Sequence, residues 1–251
     1  MFVSARSFEE YRAMFSLSDH DLSLRILDCP GGAAGFVAEA GARGADAVAV
    51  DPQYGPGREG LGELALRENE HKHAELVERA GEYDWSWFGG PARYTRMRSR
   101  SARAFGADVA ARPGRYVAGS LPDLPFADRS FDLVLSSHLL FSYGEQLGEG
   151  WHRDALLELV RVSRGQVRLY PLFQHTSNKR YPALERMRES LAECGVPSRV
   201  ERVDYAFAPG DPEMLVLECA GARAPAGASR EGGGTSAAFD PVRWRHLEAE
   251  R

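Results

Sequence analysis

Short apolar runs alternate along the chain with segments whose apolar residues recur at helical spacing. The runs predict strands over 24–28, 46–50, 115–118, 131–136 and 166–170. The helical segments predict helices over 7–16, 32–43, near 60–80, near 91–109, from about Trp151 to Val162 and over 182–194. Two last runs, 198–203 and 213–219, predict a closing antiparallel hairpin. Strands and helices that alternate in this way indicate an α/β protein with a mostly parallel sheet.

One interval between strands is too long for a simple connection. About 60 residues separate the second strand from the third, far more than one crossover helix needs. We predict that residues 54–112 form a helical lid insertion, because they leave the carboxyl end of a strand, where ligands bind in open α/β sheets. The predicted substrate-pocket residues are Trp85, Trp87, Phe88 and Tyr94 of this insertion, and Phe141 after the fourth strand. An equally weighted alternative is that the aromatic residues only attach the insertion to the body.

A glycine-rich turn follows the first strand. The strand ends at Asp28, the turn contains Pro30, and the second strand ends at Asp51, about 20 residues beyond the glycines. This spacing places an acid where a nucleoside ribose is hydrogen-bonded. Pro30 stiffens the turn, and Asp28 would repel a pyrophosphate, so the pattern disfavours a dinucleotide and favours a ligand with an ammonium and a sulfonium. A plain tight strand–helix connection is the alternative.

A second stretch, residues 118–137, contains Leu-Pro-Phe, a polar turn and Phe-Asp-Leu-Val-Leu. Together with the glycine turn it resembles the class I S-adenosylmethionine-dependent methyltransferase family. The resemblance implies a Rossmann-like, mostly parallel seven-stranded sheet flanked by helices, with S-adenosyl-L-methionine as cofactor. The cofactor-binding residues that it implies are Tyr11, Asp28, Pro30, Gly31, Gly32, Gly35, Asp51, Ser120, Leu121 and Ser137. The chain departs from the family pattern at Pro30 and Ala34, where many members carry glycine, and at Ser120, where an acid often meets the adenine amine.

Methyl transfer needs a base only when the acceptor holds its proton tightly, so catalytic residues are less evident than the cofactor turn. His138 follows the fourth strand on the same rim as Asp28 and Asp51, and an imidazole there can accept a proton near neutral pH. Tyr143 is the second predicted catalytic residue, and His152 is weaker. A histidine that only contacts its own loop or the cofactor is the alternative for His138.

Other polar groups are given less specific interpretations. Four arginines lie on one helical face and form either an anion site or, as we favour, a solvated face. They are Arg93, Arg96, Arg100 and Arg103. His71 and His73 are two residues apart and do not share a helix face, so we predict no metal site.

Composition limits the class of protein. The 251 residues carry a net charge of −5, which argues against a general nucleic-acid surface. No apolar run approaches the roughly 18 residues of a membrane span, and the three cysteines form no disulfide framework, so we predict a cytoplasmic protein. Residues 1–220 are predicted to form the cofactor-binding catalytic domain, and the Gly- and Ala-rich residues 221–251 a flexible tail.

The favoured prediction is therefore a methyltransferase that acts on an enclosed small molecule. One alternative keeps the fold and cofactor but cyclises S-adenosylmethionine to azetidine-2-carboxylate and methylthioadenosine. Another is a scaffold that binds the cofactor without catalysis. The acceptor atom and the oligomeric state do not follow from the sequence.

Overall fold

The structure, a computed structural model, describes residues 4–205, 207 and 212–221. The flexible tail predicted from residue 221 onward lies, apart from that first residue, outside the described residues. Within the described part, no helix is long and apolar enough to cross a membrane, and no three or more His, Cys, Asp or Glu side chains are placed to hold a metal ion.

In the part of the chain that the structure describes, seven strands form one sheet in the order β3-β2-β1-β4-β5-β7-β6. The strands are β1 (Arg25–Asp28), β2 (Asp46–Asp51), β3 (Tyr116–Ala118), β4 (Phe131–Ser137), β5 (Ser163–Tyr170), β6 (Ser198–Arg202) and β7 (Glu213–Glu218). The first five are parallel to one another, and β7 is antiparallel to both β5 and β6. This confirms the predicted fold class and the closing hairpin. The chain winds outward in one direction from β1 to β3 and in the other from β4, so the carboxyl ends of β1 and β4 flank a topological switch point.

Six α-helices flank the sheet in the described residues. They are α1 (Phe8–Met14), α2 (Phe36–Ala42), α3 (Leu61–Glu78), α4 (Pro91–Ala111), α5 (Glu149–Val162) and α6 (Leu184–Glu193). The α1 helix begins at the capping box that the sequence indicates, with Ser7 Oγ accepting from Glu10 N at 3.2 Å and Glu10 Oε2 accepting from Ser7 N at 2.8 Å. The α2 helix begins at Phe36 rather than at residue 32, because residues 32–35 complete the turn after β1.

Two apolar clusters lie on opposite faces of the sheet. Adjacent residues of a strand point to opposite faces, so Ile26 belongs to one cluster and Leu27 to the other. The first cluster includes Phe36 of α2 and Phe105 of α4, and the second includes Leu159 of α5.

The insertion between β2 and β3 is partly a structural layer. Its α4 helix packs against α2, and α3 and α4 approach so closely that a Cβ on Gly62 would lie 2.8 Å from the Cα of Gly106. Phe105 of α4 stacks on Tyr54 and meets the edge of Tyr116. The α4 helix therefore takes the place of the crossover helix between β2 and β3, and only α3 and the loop over residues 79–90 extend above the strand ends.

Candidate functional site

A cavity of about 620 Å³ opens at the carboxyl ends of β1, β2, β4 and β5. Its volume is within the range of cofactor and small-molecule sites, and it lies at the switch point of the sheet. The sequence-predicted residues that line it are Tyr11, Pro30, Gly31, Gly32, Asp51, Tyr94, Ser120, Leu121, Ser137, His138 and Tyr143. These residues come from α1, the glycine turn, α4 and the segments after β2, β3 and β4, and the sheet brings them to one rim.

The glycine turn is fixed against the second strand. Gly31 N donates to Val50 O at 3.0 Å, and the Tyr54 hydroxyl donates to Gly32 O at 2.7 Å. A Cβ on Gly31 would overlap the Tyr54 hydroxyl and lie 2.7 Å from the Cβ of Ala49. Gly32 has a φ of +53°, a conformation that side chains with a Cβ rarely adopt. Both positions therefore require glycine, one for space and the other for its backbone conformation.

Asp51 connects this turn to the end of β2. Its Oδ2 accepts from Gly32 N at 3.0 Å, and its Oδ1 accepts from Gln53 N at 2.9 Å. Burial raises the pKa of the carboxyl above its ordinary value, although both backbone bonds act in the opposite direction. Each carboxylate oxygen can accept a further hydrogen bond, so Asp51 can hold the turn and still receive ligand hydroxyls.

Asp28 does not line the cavity, contrary to the sequence prediction. The Tyr11 hydroxyl covers it and lies 3.0 and 3.1 Å from its two carboxylate oxygens. Only 1% of Asp28 is exposed, and burial, reinforced by the charge of Asp51, raises its pKa well above the ordinary value. Asp28 can therefore act on a ligand only through Tyr11, which itself lines the cavity.

Gly35 is also not at the cavity wall. Its N–H donates to Ser101 Oγ at 2.8 Å and to Arg6 O at 3.0 Å. A Cβ on Gly35 would lie 2.6 Å from Ser101 Oγ. This glycine therefore allows α2 to approach α4 and is not a ligand contact.

His138 stands at the end of β4 in a left-handed conformation, with a φ of +55°. Its N–H donates to Tyr170 O at 2.7 Å, and its Nδ1 lies 2.8 Å from Ser137 Oγ. Burial, with the positive charges of Arg6 and Arg98, lowers its pKa well below the ordinary value. His138 is therefore a neutral imidazole at neutral pH, the form that can accept a proton.

A family model described as a methyltransferase domain matches residues 93–170. The match runs from α4 to the end of β5 and thus includes the ends of β3, β4 and β5 that line the cavity. Over these residues the chain is similar to a methyltransferase domain.

Individual proteins resemble this chain to different extents. The uncharacterized protein MJ0045 of Methanocaldococcus jannaschii is 27% identical over 214 residues, which cover 84% of this chain and 93% of that protein. Magnesium protoporphyrin IX methyltransferase of Synechocystis, solved with bound S-adenosylmethionine, is 13% identical over 84% of this chain and 77% of its own, with a TM-score of 0.42. A possible histamine N-methyltransferase of Thermotoga maritima is 14% identical over 84% and 87%, with a TM-score of 0.40. Structural likeness at this level does not assign a substrate.

Most of the aromatic side chains that the sequence predicts as a pocket wall are absent from the cavity. Trp85, Trp87 and Phe88 do not line it; they pack on Tyr205 and Phe207, with ring centroids 5.1 to 5.9 Å apart. The reason is a long-range contact, because Asp84 N donates to Phe207 O at 3.1 Å and fixes the insertion loop against the segment between β6 and β7. These three side chains attach the insertion to the body, as the alternative interpretation proposed. Tyr94 lines the cavity, and so does Tyr83, another aromatic residue of the insertion; Tyr205 and Phe207, which the sequence does not indicate as pocket residues, line it as well.

Phe141 is also below the cavity surface. Its N–H donates to Nε2 of His152 at 3.2 Å, and its ring contacts those of His152 and Tyr181. His152 is completely buried in this contact, so its role is structural. A different histidine, His175, lines the cavity from the segment after β5, and no sequence pattern singled it out.

Arg6 and Arg98 also face the cavity, although the sequence does not indicate them as site residues. Arg98 donates to Glu10 Oε1 at 2.6 Å and to Ser4 Oγ at 2.6 Å, and Tyr205 donates to the same Glu10 oxygen at 2.8 Å. The predicted arginine face, by contrast, is exposed. Arg98 lies four residues after Tyr94 and thus on the buried face of α4; this spacing was the available signal.

Proposed function

We propose that this chain transfers the methyl group of S-adenosylmethionine to a small-molecule acceptor enclosed in the cavity. The proposal rests on one observation: a single cavity is lined both by the predicted cofactor residues and by residues that could contact an acceptor. One wall is the glycine turn with Asp51, and the opposite wall is formed by the insertion and the segment after β5. A cofactor and an acceptor can therefore meet in one space.

The residues at the strand-tip wall of the cavity fit S-adenosylmethionine as the cofactor. The turn at Gly31 and Gly32 provides a surface without side chains, against which the cofactor can lie. Asp51 is a buried carboxylate with acceptor capacity left for ribose hydroxyls. Tyr11 and Leu121 line the same part of the cavity.

When bound, the cofactor supplies an electrophilic methyl carbon on sulfur, which a nucleophile can attack in line. The contribution of the chain is to orient the two molecules, to exclude water and to receive the proton of the acceptor where there is one. His138 is our proposed base, because it faces the cavity as a neutral imidazole; its lowered pKa makes it a weak base, suited to an acceptor that becomes acidic as the methyl group is transferred. Tyr143 lines the cavity beside it and is proposed to orient the acceptor.

The character of the walls favours a small acceptor over a macromolecule. Tyr83, Tyr94 and Phe207 stand over the strand ends and stack on one another, with centroids 4.9 Å apart for Tyr94 and Phe207 and 5.0 Å for Tyr83 and Phe207. They narrow the approach to the glycine turn. The net charge of −5 disfavours nucleic acid as the acceptor.

The test is a product assay with S-adenosylmethionine and a panel of small phenols, amines, thiols and carboxylic acids. We expect S-adenosylhomocysteine to form only when an acceptor is present, and we expect S-adenosylmethionine alone to give no product. A variant outside the cavity serves as the control for substitution itself: Asp46→Ala removes an exposed acid at the other end of the strand that carries Asp51. Its product yield should equal that of the unsubstituted chain.

Two results would contradict the proposal. Methylthioadenosine formed with turnover from S-adenosylmethionine alone, above a control without enzyme, would indicate a cyclase. The absence of both products with every acceptor class, together with normal binding of S-adenosylhomocysteine, would indicate a scaffold that binds the cofactor without catalysis.

A further inference from the structure

Arg6 precedes α1 and faces the cavity at a point that the backbone fixes firmly. Its carbonyl accepts from Gly35 N at 3.0 Å and from Ser101 Oγ at 2.6 Å. These bonds attach the backbone of Arg6 to the start of α2 and to α4. The position of the side chain is thereby set relative to the glycine turn, and these two contacts do not depend on the guanidinium group.

The guanidinium of Arg6 has few partners in the described part of the chain. Nη1 donates to Ser4 Oγ at 3.0 Å, and Nε is buried without a hydrogen-bond partner. No ion pair between described residues includes Arg6, whereas Arg98 in the same cavity is paired with Glu10 at 2.6 Å. A guanidinium has five N–H donors, and a carboxylate that two of them can contact is its strongest partner.

The groups around Arg6 experience its charge from several sides. Its charge contributes to the lowered pKa of His138 at the end of β4 and of His175 after β5. It also acts to lower the pKa of Tyr170, although burial has the larger effect and raises that pKa above its ordinary value. Arg6 therefore supplies a positive potential where the glycine turn meets the tyrosine-rich part of the cavity.

We propose that Arg6 is an anion-binding residue of the cavity and holds a carboxylate of the bound ligand. The proposal rests on the proposed function for the identity of that ligand. A carboxylate in this position has two sources: the aminoacyl end of the cofactor or an acid group on the acceptor. The chemistry at Arg6 is the same in both cases, and the two sources give different binding results.

The experiment compares two ligands that differ in the aminoacyl group. S-adenosylhomocysteine carries the carboxylate, and methylthioadenosine lacks it while retaining the adenosine and the sulfur. Calorimetric titration of Arg6→Gln with both ligands should show S-adenosylhomocysteine weakened about 10- to 100-fold and methylthioadenosine unchanged, because one charged hydrogen-bonded contact is lost. Arg6→Lys should restore part of the affinity. Arg96→Gln, an exposed arginine on α4, is the control and should bind both ligands normally.

A second arm tests the acceptor as the source. Benzoate is titrated into the complex with S-adenosylhomocysteine. If Arg6→Gln weakens benzoate about 10-fold or more and leaves both nucleosides unchanged, the carboxylate belongs to the acceptor, and the role of Arg6 is again supported.

Other outcomes overturn the inference. Unchanged affinity for all three ligands would show that Arg6 binds no carboxylate, and equal weakening of both nucleosides would show that Arg6 only shapes the cavity. Thermal unfolding of each variant checks that it is folded. If the unsubstituted chain binds neither nucleoside, the proposed function fails; benzoate is then titrated into the free chain, where equal binding by Arg6→Gln and the unsubstituted chain would overturn the role of Arg6 separately.

Discussion

The cavity has two halves that are held together by different forces. We call the glycine turn with Asp51 the strand-tip half, and α3, the loop over 79–90 and α4 the insertion half. Backbone hydrogen bonds to Asp51 and a parallel strand register fix the strand-tip half. A buried ion pair, Arg98 with Glu10, and stacked aromatic rings fix the insertion half. We therefore expect substitutions in the strand-tip half to change mainly ligand affinity, and substitutions in the insertion half to change mainly the free energy of unfolding.

The largest effect is expected for Arg98→Ala in the insertion half. This change leaves Glu10 buried without its cation, and breaking a buried pair in this way costs about 3–5 kcal/mol of the free energy of unfolding. Arg100→Ala is the matched control, because its pair with Glu9 is exposed and such pairs contribute about 0–1 kcal/mol. Denaturant unfolding measures both. Equal losses in the two variants would show that the buried pair does not hold this half.

In the strand-tip half, Asp51→Ala should weaken S-adenosylhomocysteine about 10- to 100-fold. The lost interaction is a charged hydrogen bond to ribose hydroxyls, which contributes about 1.5–3 kcal/mol. Some stability will also be lost, since Gly32 N and Gln53 N lose their acceptor. Calorimetry with Asp46→Ala as the control measures the difference, and an unchanged dissociation constant in folded Asp51→Ala would remove this acid from the site.

Gly32→Val tests whether the shape of the turn matters to the ligand. Valine at a φ of +53° is strained by about 1–3 kcal/mol, and its side chain would stand in the surface offered to the cofactor. We expect binding to weaken at least about 10-fold while circular dichroism still shows a folded chain. Gly55→Val is the control, because Gly55 has an extended backbone with open space around its Cβ position. Comparable affinities for the two variants would mean that the turn is only structural.

Phe88→Leu probes the aromatic packing without touching the cavity wall. Phe88 is completely buried, so the variant should lose about 0.5–3 kcal/mol of the free energy of unfolding. Its affinity for S-adenosylhomocysteine should stay within about twofold of normal, since Phe88 lines no part of the cavity. A large loss of affinity with little loss of stability would reverse the assignment of the two halves.

The smallest effect is a difference in pH dependence. His138 has a lowered pKa when folded, so its contribution to stability is present above about pH 6.5 and is lost as the pH falls toward the folded value. His138→Gln should therefore lose less stability than the unsubstituted chain between pH 7 and 5, by at most about 1.4 kcal/mol per pH unit. The raised pKa values of Asp28 and Asp51 act in the opposite direction but are present in both proteins. Parallel pH profiles from chemical unfolding would show that His138 is not desolvated.

The same division explains which features the sequence could predict. The strand-tip positions follow from the period of buried strands and the turn requirements of glycine, and both are local. The sequence predicts Asp28 at the cavity wall, but the Tyr11 hydroxyl covers it. Tyr11 lies 17 residues earlier in the chain, and no local pattern indicates that contact. The sequence predicts Trp87 as a pocket residue, whereas its side chain packs on Tyr205. Tyr205 is distant in the chain, so no local pattern indicates this contact.

A crystal structure of the chain with S-adenosylhomocysteine would test directly whether the glycine turn and Asp51 bind the cofactor. We predict that the ligand lies on the turn at Gly31 and Gly32, with its ribose hydroxyls about 2.6–3.2 Å from the carboxylate of Asp51. A ligand bound elsewhere in the cavity, or a ribose that contacts other groups while Asp51 keeps only its bonds to Gly32 and Gln53, would contradict it.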